Sequence, residues 1–248
     1  MRHGSLYLIL VLATLMMSCQ QEELRQEETK GMGRIVLSFS DIQVYADDVV
    51  TRSAYNANNP DNYDFTLSGT PEEGEAIVNL PIEFTDNMVS VPAGTYTLTA
   101  TTKTTLSNAV PGVPTYTKTS GEFDITTGDD TPVSLAMGKP TNSRVTMSQS
   151  SAFSAKYDNI RLTLTAGGRS VDIGTATGCE TEAFFPAGSV SYTLTAAART
   201  GSHVTDITSA SGSITLTAGK HHEISLTLNP ATGEIVPIIE GTHTGSFD

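Results

Sequence analysis

The sequence has no tryptophan, and aromatic residues of all kinds make up only 6% of its 248 positions. It has just two cysteines, Cys19 and Cys179. Once the N-terminal segment that holds Cys19 is set aside, no disulfide can form inside the remaining chain, so its folding rests on packing alone. Positive charge is scarce: 14 Lys and Arg stand against 27 Asp and Glu, a net charge of −13. Removing residues 1–18 takes away only Arg2, leaving 13 basic against 27 acidic residues and a charge of −14. Phosphate backbones need a basic face, so nucleic acid is excluded as a partner. Long apolar runs are missing too. The longest, Leu6 to Met17, has twelve residues, well short of the roughly 20 that span a bilayer as a helix. There is no Gly-x-Ser-x-Gly, no His-Glu-x-x-His and no glycine loop built to cradle phosphate. No segment after residue 30 has the period of a long amphipathic helix.

What the chain does have is threonine, serine and glycine around short alternating apolar runs, with 38% hydrophobic and 17% charged residues. That composition suits a soluble all-β protein. One stretch occurs twice. Pro92-Ala93-Gly94-Thr95-Tyr96-Thr97-Leu98-Thr99-Ala100 returns as Pro186-Ala187-Gly188-Ser189-Val190-Ser191-Tyr192-Thr193-Leu194-Thr195-Ala196. Each copy precedes a Ser-Gly-led run and a second alternating run, ending at Met137 in one case and at Leu228 in the other. The order of parts is the same, so one β-module is used twice.

Within each copy Tyr96, Leu98 and Ala100, or Tyr192, Leu194 and Ala196, share one face of a strand, and the threonines take the other. Ile35, Leu37 and Phe39 predict a first strand, and Phe65 and Leu67 a later one. Ile77 to Phe84, interrupted by Pro81, reads as an edge strand. Gly128-Asp129-Asp130 predicts a hairpin turn between the runs at Phe123–Ile125 and Val133–Met137. Ser151 to Tyr157 predicts one helical turn. About seven short strands per 100 residues is the pattern of a Greek-key sandwich of the immunoglobulin-like kind. The expected layout is a signal peptide over 1–18, an acidic tether over 19–32, one sandwich over 33–138 and a second over 139–229. A C-terminal tail or extra strand then fills 230–248.

Met1-Arg2-His3 followed by the apolar run to Met17 is a targeting segment rather than part of the fold. Leu15-Met16-Met17-Ser18-Cys19 resembles the bacterial lipobox, whose cysteine is lipidated and becomes the mature N-terminus; Met16 stands where leucine is usual. The resemblance makes Cys19 the lipidation site. Gln20 in place of an aspartate implies delivery to the outer membrane. Gln20-Gln21-Glu22-Glu23 is similar to the short acidic stretch that takes Bacteroidetes lipoproteins to the cell surface.

Val133 to Met147, through Gly138-Lys139-Pro140-Thr141-Asn142, resembles the segment between the modules of a family of Bacteroidetes two-module lipoproteins. Those proteins are similar to fimbrillins, the components of type V pili. The resemblance implies two transthyretin-like β-sandwich domains and a structural or adhesive role. It also implies other pilus subunits or surface proteins as partners, beside the outer membrane reached through a lipid anchor. Fimbrillin precursors are cut after an arginine in their N-terminal region, and Arg52 in Val50-Thr51-Arg52-Ser53 is the matching candidate. An ordinary exposed loop arginine is the plainer explanation of that residue.

Other constellations are weaker. His221-His222 cannot grip one metal from a strand, because adjacent side chains point to opposite faces. Asn56 to Asp64 is rich in oxygen ligands but lacks the spacing and the glycine of an EF-hand. Cys179, in a turn-like stretch, is read as a structural thiol. The expectation is therefore no catalytic residue, no metal and no cofactor. Tyr45, Tyr55 and Tyr63 crowd one loop-rich region and supply the alternative function, a glycan-binding surface lipoprotein of a polysaccharide uptake system. Core or strand-edge tyrosines are the plainer explanation of the three.

Overall fold

The structure is a computed structural model and describes residues 31–42, 56–108, 112–228, 235–238 and 242–243. Among these the chain is all-β, with two helical turns of four residues each, α1 (Thr104–Ser107) and α2 (Ser151–Ser154). The first eight strands are β1 (Met32–Ile42), β2 (Tyr63–Pro71), β3 (Ile77–Ile82), β4 (Met88–Pro92), β5 (Gly94–Thr102), β6 (Thr117–Thr119), β7 (Phe123–Ile125) and β8 (Asp130–Gly138). Then follow β9 (Asn142–Gln149), β10 (Tyr157–Ala166), β11 (Arg169–Gly174), β12 (Glu182–Pro186), β13 (Gly188–Ala198), β14 (Ile207–Leu216), β15 (His221–Leu228), β16 (Ile235–Ile238) and β17 (Thr242–His243).

The repeat seen in the sequence is a repeat of topology. The first copy makes a sheet ordered β4-β1-β8 and another ordered β3-β2-β5-β6, with β7 also on β5. The second makes β12-β9-β15, extended by β16 and β17 on β15, and β11-β10-β13-β14. Strand for strand the two agree, with β14 standing where β6 and β7 stand in the first copy. In the second copy β9 and β15 run parallel, Val145 beside His222, and the other described pairs are antiparallel.

The duplicated Pro-Ala-Gly motif is the corner where the chain changes sheet. Pro92 ends β4 and Pro186 ends β12, each an edge strand that can spare an N–H. Two residues on, Gly94 and Gly188 open β5 and β13 in the other sheet with φ of 157° and 132°. A Cβ on Gly94 would lie 2.5 Å from the Thr70 carbonyl oxygen, so that corner needs glycine for space as well as for conformation.

Alternation then fills the sandwich. Leu162 and Leu164 of β10, Leu194 of β13, Val145 of β9 and Ile224 and Leu226 of β15 are fully buried in one core. Phe153 of α2 and Val171 and Ile173 of β11 join them. In the first copy Ile35, Leu37, Phe65, Leu67, Leu98, Val133 and Leu135 are buried in the same alternating pattern. Two compact units result. One takes the described residues of 1–38, 65–99 and 119–135, and the other those of 39–64, 100–118 and 136–248. The far ends of β1, β2, β5 and β8, and the connection from residue 100 to 118, thus group with the second repeat.

The expected turn at Gly128 is present, but it does not close a hairpin. β7 pairs with β5 and β8 belongs with β1, so the turn carries the chain between sheets. Its polar groups bind β1 instead: the Gly128 N–H donates to the Met32 carbonyl at 2.8 Å, and the Arg34 N–H donates to the Asp129 carbonyl at 2.9 Å. At the C-terminus, β16 pairs antiparallel with β15, Ser225 opposite Ile238 and Leu228 opposite Ile235. That segment is an added edge strand on its own chain.

Candidate functional site

Cys19, Arg52, Tyr45 and Tyr55 lie outside the described residues. Tyr63 is described, and it is 2% exposed. Its ring centroid is 5.0 Å from that of Phe39, and its hydroxyl donates to the Ala57 carbonyl at 2.8 Å. That ring is committed to packing and offers no open face for a sugar.

The oxygen-rich loop ahead of it is a run of asparagine turns. Asn56 Oδ1 accepts from the Asn58 N–H and Asn59 Oδ1 from the Asp61 N–H, both at 3.0 Å. The latter caps a single 3₁₀ turn over Pro60–Asn62. Among the described residues no group of three or more His, Cys, Asp or Glu is placed to hold a metal. His221 and His222 go opposite ways. His221 Nε2 lies 2.7 Å from Thr146 Oγ1, whereas His222 Nε2 accepts the Thr217 N–H at 3.0 Å. Burial holds His222 below the ordinary imidazole range. Burial likewise pushes the Cys179 thiol up, which makes it a poor nucleophile.

Two polar constructions escaped sequence reading. Arg144 of β9 and Glu182 of β12 form an ion pair at 2.7 Å, with side chains 12% and 7% exposed. Arg169, at the start of β11, reaches into the 100–118 connection. Its guanidinium donates to the Ser107 carbonyl at 2.6 Å and to the Phe184 carbonyl, and it lies 4.6 Å from the Phe185 ring centroid. Burial lowers its affinity for the proton from the usual arginine value. Asn142 does similar work: its Oδ1 accepts the Thr115 N–H at 3.1 Å and its Nδ2 donates to the Val113 carbonyl at 2.8 Å. Arg169 and Asn142 bind backbone and hold the 100–118 connection in place.

What the structure presents outward is strand edges. β3 carries Val78 and Leu80, 77% and 45% exposed. It is blunted, however, by Pro81 and by a bulge at Val78-Asn79, where Asn79 has a φ of 50° and donates to Ser68 Oγ. β11 carries Arg169 and Asp172, and β16 carries Pro237. β6 and β7 are three residues each, bear Lys118 and Asp124, and are parted where Ser120 Oγ takes the Leu98 N–H at 2.9 Å.

β14 is different. It runs for ten residues, Ile-Thr-Ser-Ala-Ser-Gly-Ser-Ile-Thr-Leu, with neither proline nor charge. From Ala210 to Leu216 it pairs residue for residue with β13, and β13 is its one partner among the described residues. Ser209, Ser211, Gly212, Ser213 and Thr215 are exposed. A Cβ on Gly212 would sit 2.5 Å from Tyr192 Oη, so the tyrosine covers the glycine from the opposite position on β13.

Three solved structures with related layouts are a candidate cell adhesion protein of Bacteroides ovatus, the fimbrial anchor protein Mfa2 of Porphyromonas gingivalis and the TIE protein of Bacillus anthracis. The first is 10% identical with a TM-score of 0.41, over 83% of this chain and 95% of that one. The second is 10% identical with a TM-score of 0.35, over 83% and 94%. The third is 14% identical with a TM-score of 0.29, over 79% of this chain, which spans only 33% of the Bacillus protein. No curated protein matches the chain. The model of a domain of unknown function, DUF4493, matches residues 31–245, from the start of β1 to beyond β17. The chain belongs to the DUF4493 family.

Proposed function

We propose that the protein is a lipid-anchored outer-membrane protein displayed at the cell surface, with a structural or adhesive role, as a fimbrillin-like pilus component or accessory. The observation that carries this is the order of its parts: a lipobox-like Cys19 and a short polar tether precede β1, and a doubled sandwich follows. Arg169 and Asn142 bind backbone and Arg144 binds Glu182, and the strand edges are the parts this reading assigns to contact with other molecules. A catalytic role is not part of the proposal. The glycan-binding alternative needs an aromatic platform, and the one tyrosine of its trio that is described turns its ring inward.

The test is mass spectrometry of the mature N-terminus from the native cell, with membrane fractionation of Cys19→Ala. The expected result is a diacylated Cys19, with the variant released from membranes or held as uncleaved precursor. An unmodified Cys19, or a variant that fractionates and migrates like the parent, overturns the anchor. Surface proteolysis of intact cells separates outer-leaflet display, where the chain is digested, from the periplasmic face, where it is protected.

A further inference from the structure

We propose that the β14 edge is a self-association surface, on which the β14 of a second copy pairs antiparallel about Gly212. The proposal deepens the reading of this chain as one that works through strand edges.

Four observations carry it. First, from Ala210 to Leu216 β14 has none of the prolines, charges or bulges that keep edges apart; its bulge, at Thr208-Ser209, lies before that stretch. β3, β11 and β16 each have at least one such device, and the equivalent edge of the first repeat is broken into two short charged pieces. Second, the neutral stretch is long: from Ile207 to Gly219 there is no Asp, Glu, Lys, Arg or His. Two copies that each carry a net charge of −13 repel one another over most approaches. Along this line they meet no like charge, so a second, equally acidic copy is not turned away there.

Third, the sequence complements itself under a two-fold axis. Antiparallel pairing about Gly212 sets Ser211 opposite Ser213 and Ala210 opposite Ile214, within the regular part of the strand. Small hydroxyls then face small hydroxyls on one side, and apolar residues continue the line of Ile214 and Leu216 on the other. This is the geometry of an interface in which the same patch serves both partners. Fourth, Tyr192 already covers Gly212 from within the sheet, so no void opens at the axis. The backbone N–H and C=O groups that point away from β13 gain partners, joining two four-stranded sheets into one of eight. Edge pairing alone covers little surface. Association is therefore expected to be weak in dilute solution and to grow with concentration.

The experiment uses the full chain in detergent micelles, with protein molar mass followed by sedimentation velocity from micromolar to several hundred micromolar. The comparison is between the parent, Ser211→Glu with Ser213→Glu, and a control with Ser170→Glu on the β11 edge of the same sheet. Both edge serines are exposed, so melting temperature should be unchanged, which distinguishes lost association from lost fold. The expected result is a concentration-dependent dimer in the parent and the control. It should be weakened at least about tenfold in the double variant, where four like charges face one another. A second measurement is Ser211→Cys with Ser213→Cys, which should yield a disulfide-linked dimer on mild oxidation. A parent that is monomeric at all concentrations overturns the proposal. So does a dimer that survives the two glutamates. Because the readout is independent of lipidation, its failure leaves the anchored-surface reading standing, and an unmodified Cys19 leaves this one standing.

Discussion

Asn142 gives the sharpest test of how the 100–118 connection is held. It is 5% exposed, opens β9, and uses both ends of its amide on one short piece of backbone. Asn142→Ala deprives the half-buried Thr115 N–H and Val113 carbonyl of those partners. A fully buried stranded group costs about 1–3 kcal/mol, and for these two half-buried groups together the loss is expected at about 2–4 kcal/mol. For a domain of this size that lowers Tm by on the order of 10 °C. The bond from the Gly219 N–H to the Asn142 carbonyl, 2.7 Å, is made by backbone and survives the change. Asn142→Asp is no rescue: it keeps an acceptor for Thr115, loses the donor to Val113 and buries a charge. Thr141→Ala is the control. Its hydroxyl meets Thr115 Oγ1 at 2.8 Å, but in an exposed position, and the loss should stay below about 1 kcal/mol. The assay is urea unfolding of the parent and three variants, followed by circular dichroism. If Asn142→Ala costs less than the threonine control, the amide is not the pin described above.

Other outcomes follow from single residues. Leu98→Asp and Leu194→Asp each put a charge at a fully buried position and should unfold the repeat that holds them, whereas Thr97→Asp and Thr193→Asp, only half-buried, should be mild; proteolytic mapping of the four variants would expose an inverted register. Tyr96→Phe should leave stability unchanged or raise it by about 1 kcal/mol, because the buried Tyr96 hydroxyl has no hydrogen-bond partner among the described residues; a Tm that falls would reveal one. His222 is held neutral in the fold by burial, so the unfolded chain takes up its proton first as pH falls below about 6.5. Stability from this group is full above that value and declines below it. The drop in Tm between pH 7 and pH 5 should shrink in His222→Gln, and an unchanged drop would refute the assignment.

The sequence alone determined the class of fold, the duplication and the buried faces. Those properties are local: an alternation of period two, as in Tyr96-Thr97-Leu98-Thr99-Ala100, states which side of a strand is apolar wherever the strand ends up. Pro81 marked an edge and Pro92-Ala93-Gly94 a corner for the same reason, since each restricts its own backbone. Tertiary structure decided what those faces meet. The turn at Gly128 looks like any hairpin turn in sequence, and only the pairing of β7 with β5 shows that it crosses between sheets. Tyr63 sat among loop residues, and the approach of Phe39 turned it into packing. Arg144, Arg169 and Asn142 had no signature because their partners, Glu182, Ser107 and Thr115, lie 38, 62 and 27 positions away. The character of β14 arose in the same way. Its residues read as one more alternating strand, and it became an uncharged edge only when the order β11-β10-β13-β14 of the described strands left it last.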